Sequence, residues 1–342
     1  MNTTHGGRAG AGTGAQFLVL AAVWGASFLF IKVSVAGLSP VQVVLGRLGL
    51  GALCLAAVMA ATRRRWPRDL RTWRSLAVIA VFLCVLPFLL YAWAGERIPS
   101  GLSSIYNATT PLATLLVALA VLPDERLTRA RTAGLLLAAA GVTLVASPWT
   151  TGGASLPGQL ACLGAGLSYG IGFVLTRRLL RDTPHDTVTV AAVQVALATA
   201  ITLLIAPFAG GFAPIRLTPS ITASMLVLGI AGTGLAYILN NRIITAWGAT
   251  AASTVTYLTP LVGVALGVTV LGETLHWYEP AGAALVVLGI LISQGRFTTP
   301  RPRARGTRRT GPRTMPSTGH PAQRSEAPLA GGPPNPNPAE RT

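Results

Sequence analysis

The chain has 342 residues, 51% of them hydrophobic and only 11% charged, where a soluble domain carries about 25% charged residues. That balance excludes a soluble globular protein and points to a polytopic membrane protein. The net charge of +17 does not mark a nucleic-acid partner, because the arginines collect in short loops between apolar segments and in the tail after Gln294. Cys54, Cys84 and Cys162 each fall in a different apolar segment without CxxC or Cys/His spacing. They read as small buried hydrophobes, and no metal is implied.

A membrane helix needs roughly 17–25 mostly apolar residues. Ten such spans are predicted in chain order, at 16–37, 41–61, 73–94, 98–122, 130–147, 157–179, 187–208, 219–241, 246–271 and 278–295. The first contains Lys32, is too long for a signal peptide and lacks a cleavage site. Residues 1–15 form a short N-terminus. The tail, 296–342, is rich in Pro, Gly, Arg and Thr without apolar period and is expected to be disordered; its arginines can touch anionic lipid or simply retain positive charge inside. If the N-terminus is cytoplasmic, every Lys and Arg except Lys32, Arg47, Arg97 and Arg216 falls on the inside. Both termini are therefore expected in the cytoplasm.

A weak internal repeat runs through these spans. Trp24-Gly25-x-x-Phe28 returns as Tyr169-Gly170-x-x-Phe173, and Thr110-Pro111-Leu112 as Thr259-Pro260-Leu261. Glu125, Gly134 and Gly141 return as Glu273, Gly282 and Gly289. Each copy, 16–147 and 157–295, holds five spans, an odd number, so the second must lie upside down in the bilayer. The expected fold is thus all-α, ten transmembrane helices as two inverted five-helix repeats, an architecture of alternating-access transport.

These motifs resemble the EamA-type members of the drug/metabolite transporter superfamily over about residues 16 to 295. Trp24 to Phe28 followed by Lys32 looks like that family's opening helix, and Ser39-Pro40 followed by Arg47 like its second. The Thr-Pro-Leu, Glu and Gly series closes each copy, with Gly272-Glu273 family-like and Pro123-Asp124-Glu125 a departure in a loop. The resemblance implies ten helices, carriage of small metabolites, often efflux of amino acids or drugs, and a central site lined by spans one, three, four, six, eight and nine.

Candidate site residues follow from chemistry inside spans. Pro111 and Pro260 lie mid-way through their spans and donate no N–H, so the carbonyls of Asn107 and Thr256 lose their helical partners. A kink and a polar side chain then coincide at matching positions, the pattern of a transporter site, although a packing kink satisfied by a neighbouring helix has the same signature. Trp24, Tyr91, Tyr169, Tyr237 and Tyr257 can line a cavity for an amphipathic solute or anchor and pack the helices. Lys32 and Arg47 can attract a carboxylate or phosphate near the outer mouth or snorkel to headgroups. Glu96 is the one candidate for ion coupling, with a local pair to Arg97 as the alternative. Asn240 and Asn241 are expected at a helix end, away from solute.

Together these features predict a secondary transporter of a small amino acid-like or drug-like solute, exporting across the cytoplasmic membrane by alternating access. A channel-like facilitator is the alternative within transport. No HExxH motif, paired intramembrane aspartates or phosphate-cradling loop supports an enzyme, and no folded output domain supports a sensor. The partners implied are the lipid bilayer and a small-molecule substrate, without cofactor or nucleic acid.

Overall fold

Backbone in a bilayer must satisfy its polar groups internally, and every regular element among the described residues is helical. The structure, a computed structural model, describes residues 5–123, 126–146, 155–181, 183–247 and 255–294. Glu125, the joining loop before Ser155 and the Arg-rich tail lie outside them. The described residues belong to one unit, Met1–Thr298.

In chain order, α1 (His5–Ser34) and α2 (Pro40–Ala61) precede α3 (Leu70–Ala80), which runs through a π-helical turn (Val81–Val85) into α4 (Leu86–Gly95). Then come α5 (Ser100–Asn107), α6 (Thr110–Val121) and α7 (Arg129–Ala146). The pattern continues with α8 (Leu156–Leu179) and α9 (Thr187–Ile205). Next, α10 (Pro219–Leu226) passes through a second π-helical segment (Val227–Leu235) into α11 (Ala236–Trp247). Last are α12 (Val255–Leu271) and α13 (Tyr278–Ser293). Among the described residues, eight helical rods are long and apolar enough to cross a membrane, and α12 and α13 are shorter apolar helices.

Helix starts are fixed by side-chain caps. Ser39 and Gln42 form a capping box ahead of Pro40, and Asp69, Asp186 and Thr218 each accept from backbone N–H groups of the following turn. Such caps satisfy donors that a helix end leaves unpaired.

The two prolines sit differently in their rods. The rod from Ser100 to Val121 is interrupted at Ala108–Thr109, so that Pro111 falls in the first turn of α6, where its missing N–H is tolerated. Pro260 stays inside a continuous α12. There the Thr259 hydroxyl donates to the Thr256 carbonyl at 2.8 Å, which supplies the bond that Pro260 cannot.

Small residues set the closest crossings. A Cβ on Gly141 would stand 2.7 Å from Gly282 O, and one on Gly289 would stand 2.6 Å from Gly134 O. The four glycines therefore pair crosswise, and α7 and α13 run antiparallel with their backbones in contact. Leucines such as Leu53, Leu116, Leu136, Leu204 and Leu261 remain exposed on outer faces, as lipid-facing helix surfaces require.

Candidate substrate site

Two further glycines decide where the motifs meet. A Cβ on Gly25 would stand 2.9 Å from Thr259 O, so α1 lies directly on α12. A Cβ on Gly170 would stand 2.8 Å from Thr114 N, so α8 lies directly on α6. Each aromatic-glycine motif thus rests on the proline helix of the other copy. Trp24 is brought to Thr256 and Thr259, and Tyr169 to Asn107 and Thr110, around one cavity of about 210 Å³.

Aromatic rings form one continuous part of the cavity wall. Phe28 meets Tyr91 edge-on at 5.3 Å between centroids, Tyr91 lies 6.2 Å from Tyr169, and Tyr169 lies 6.4 Å from Phe173. Polar tips are tied back: Tyr91 Oη donates to Asn107 Oδ1 at 3.2 Å, and Tyr237 Oη lies 3.7 Å from Cys84 Sγ. Gln194 Nε2 donates to that same sulfur at 3.2 Å. Phe88, Ser27 and Asn240 also line the cavity.

The two π-helical segments contribute Leu83 and Gly232 to the wall. A π turn widens the backbone and displaces a carbonyl from its usual donor. Ser168 Oγ donates to Phe82 O at 2.8 Å, and Thr233 Oγ1 donates to Leu228 O at 3.0 Å.

Arg47 is the cation of the cavity. It is only 7% exposed. Its Nε donates to Thr233 Oγ1 at 3.1 Å, and its guanidinium carbon sits 3.9 Å from the Phe88 ring centroid, a cation–π contact. Among the described residues no carboxylate comes within ion-pair distance of it. None of the described residues lining the cavity is acidic.

Of the residues singled out from sequence, Trp24, Arg47, Tyr91, Asn107, Tyr169, Tyr237 and Thr256 come together here. Lys32 does not: its Nζ donates to Ile98 O at 3.0 Å. Tyr257 packs instead beside a cluster that includes Leu112 and Val286. Glu96 pairs with Arg97 at 2.5 Å, and Arg97 lies over the Trp93 ring. Pro111 and Pro260 shape the backbone and do not line the cavity. Asn240, expected at a helix end, faces it, because α11 extends beyond the expected boundary to Trp247. Thr110 and Gln194 were missed. Gln194 had a signal, an amide in the middle of an apolar span; the π segments had none. Among the described residues, no cluster of three or more His, Cys, Asp and Glu side chains could hold a metal.

Comparison with known proteins agrees with this architecture. The EamA-like transporter family matches residues 12–147 and again 156–294. A Salmonella typhimurium protein named as a probable amino-acid metabolite efflux pump is 26% identical over 83% of this chain and 95% of its own length. A Streptantibioticus cattleyicolor protein named as a probable terminal-alkyne amino-acid exporter is 27% identical over 82% and 92%. The Escherichia coli inner membrane transporter YedA, uncharacterized, is 25% identical over 81% and 89%. A protein of known crystal structure superposes with a TM-score of 0.58 at 20% identity, over 84% of this chain and 99% of that one, a likeness of fold. The chain therefore belongs to the EamA-like transporter family, and it is a multi-pass cell-membrane transporter rather than an enzyme.

Proposed function

We propose that this protein is a secondary transporter that exports a small amino acid-like or drug-like solute by alternating access around the aromatic cavity. One observation carries the reading. Three pairs of repeat-equivalent residues, Trp24 with Tyr169, Tyr91 with Tyr237 and Asn107 with Thr256, all line that single cavity. A site shared by two copies is what an inverted-repeat carrier needs, because exchanging the conformations of the copies moves access from one face to the other. The crosswise pairing of Gly134 with Gly289 and Gly141 with Gly282 supports the same arrangement: ten spans as two inverted halves, 16–147 and 157–295. Export is favoured by the names of the Salmonella and Streptantibioticus relatives. The arginine distribution supports both termini in the cytoplasm, and a reporter fused after Gln294 that works only in the periplasm would overturn that orientation.

The test is counterflow in proteoliposomes preloaded with a mixed panel of amino acids, nucleosides, sugars and cationic drugs. Exchange of one compound class, lost in the Asn107→Ala/Thr256→Ala double variant while the protein stays folded, is the expected result. Flux without exchange would make the protein a channel-like facilitator. Normal exchange in the double variant would remove the cavity from the transport path.

A further inference from the structure

We infer that the cavity recognises the carboxylate of its solute and not the amine: Arg47 holds a monoanionic carboxylate whose apolar body lies among the aromatic walls, and an amine without a carboxylate is turned away. The inference rests on the transport reading of the same cavity.

The argument is one of charge. Arg47 is nine-tenths buried, yet only its Nε is engaged, by Thr233, with an aromatic ring against the guanidinium plane. A buried cation without a counter-ion is costly, and a carboxylate from the solute removes that cost through a paired, fork-shaped hydrogen bond. Among the described residues, no Asp, Glu, His or Lys joins Arg47 in the lining. The solute's ammonium would therefore meet only neutral oxygens and ring faces, in a cavity that already holds a cation. Chemistry also separates carboxylate from phosphate. One guanidinium balances one negative charge, whereas a phosphate monoester carries about −1.5 to −2 at neutral pH and would bury an excess.

Four probes that share one branched alkyl body test this on the purified full-length protein: L-leucine, 4-methylpentanoate (its amine removed), 3-methylbutylamine (its carboxylate removed) and 3-methylbutyl phosphate. Binding is read as ligand-induced thermal stabilisation, and transport separately as counterflow of labelled leucine. We expect leucine and 4-methylpentanoate to bind within a few-fold of each other, and the amine and the phosphate ester to bind on the order of tenfold or more weakly, the scale of a hydrogen-bonded charge pair. Arg47→Gln should abolish the preference for carboxylate over amine, and Arg47→Lys should retain it in reduced form. If Arg47→Gln does not fold, the wild-type series and Arg47→Lys decide. Equal binding of amine and carboxylate, preferred binding of the phosphate ester, or no binding of either carboxylate overturns the inference. Carboxylate binding without counterflow would leave charge recognition standing and remove the carrier reading; counterflow without carboxylate preference would do the reverse.

Discussion

Arg47 Nε donates to Thr233 Oγ1 at 3.1 Å across 186 positions of sequence. The bond joins α2 to the π-helical segment that interrupts the rod from Pro219 to Trp247. Thr233 Oγ1 in turn donates to Leu228 O, so one hydroxyl serves both the irregular backbone and the cation. The position of the charge in the cavity is thereby coupled to the geometry of the π segment.

Thr233→Val keeps the shape and deletes that hydroxyl. Arg47 then loses its fixed orientation and Leu228 O loses a donor. A buried unpaired group costs about 1–3 kcal/mol. We expect a lower unfolding temperature and a raised KM for the transported solute. A variant with wild-type melting and wild-type KM would show that the hydroxyl positions nothing.

Gly141 and Gly289 allow α7 and α13 to touch. Alanine at either position would place a methyl group 2.6–2.7 Å from a carbonyl oxygen of the facing helix. Neither backbone can yield locally, so overpacking of about 1–3 kcal/mol is expected for each. Thermal unfolding of Gly141→Ala and Gly289→Ala should report it. Alanine at Gly272, where φ is +66° but nothing lies within 4 Å, should cost through backbone strain alone. Unchanged melting of the first two would mean that the crossing relaxes freely.

Glu273 holds the start of α5. Its Oε1 accepts from Ser100 N at 2.6 Å, and its Oε2 accepts from Gly101 N at 3.0 Å and from Ser100 Oγ at 3.1 Å. Glu273→Ala removes all three and should destabilise the protein by roughly 1–3 kcal/mol. Glu273→Gln retains a carbonyl acceptor and should lose less. Equal melting of the two variants would refute a charge-assisted cap.

Asp69 caps α3 in the loop after α2. Its carboxyl is held down to about 2 from an ordinary 3.8, first by the Thr72 side chain and backbone N–H, then by His185. A depressed folded-state value stabilises the fold above pH 3.8, and that contribution is lost as pH falls through about 2. Unfolding temperature measured from pH 6 to 2 should therefore fall less steeply in Asp69→Asn than in the wild type. Parallel curves would show that the carboxylate contributes nothing to acid stability.

Much of the site was legible because membrane chemistry makes polar side chains within apolar spans conspicuous. Trp24, Tyr169, Asn107 and Thr256 were found by their repetition, and Arg47 by its charge. Lys32 carried the same charge signal as Arg47, and Tyr257 was singled out as an aromatic with a polar tip inside a span. What separates them is direction: Lys32 turns to Ile98 O and Tyr257 to a leucine and valine cluster. Helix periodicity does not resolve such directions when apolar residues surround the whole rod. Thr110 and Pro111 show a second limit. The Thr-Pro motif marks a disturbance in both copies, yet one helix breaks and the other continues, because the Thr259 hydroxyl bridges to the Thr256 carbonyl.

By itself, the sequence determined the membrane class through its composition, and its motifs, repeated along one dimension, carried the resemblance to the family. Only the tertiary structure decided that the aromatic-glycine motif of each copy lies on the proline helix of the other. It alone placed π-helical turns in the cavity wall and, among the described residues, left Arg47 without a carboxylate partner. These depend on which backbones approach closely enough to exclude a side chain, and on where displaced carbonyls and a buried charge find partners. Such partners lie far away in sequence and are brought together by helix packing.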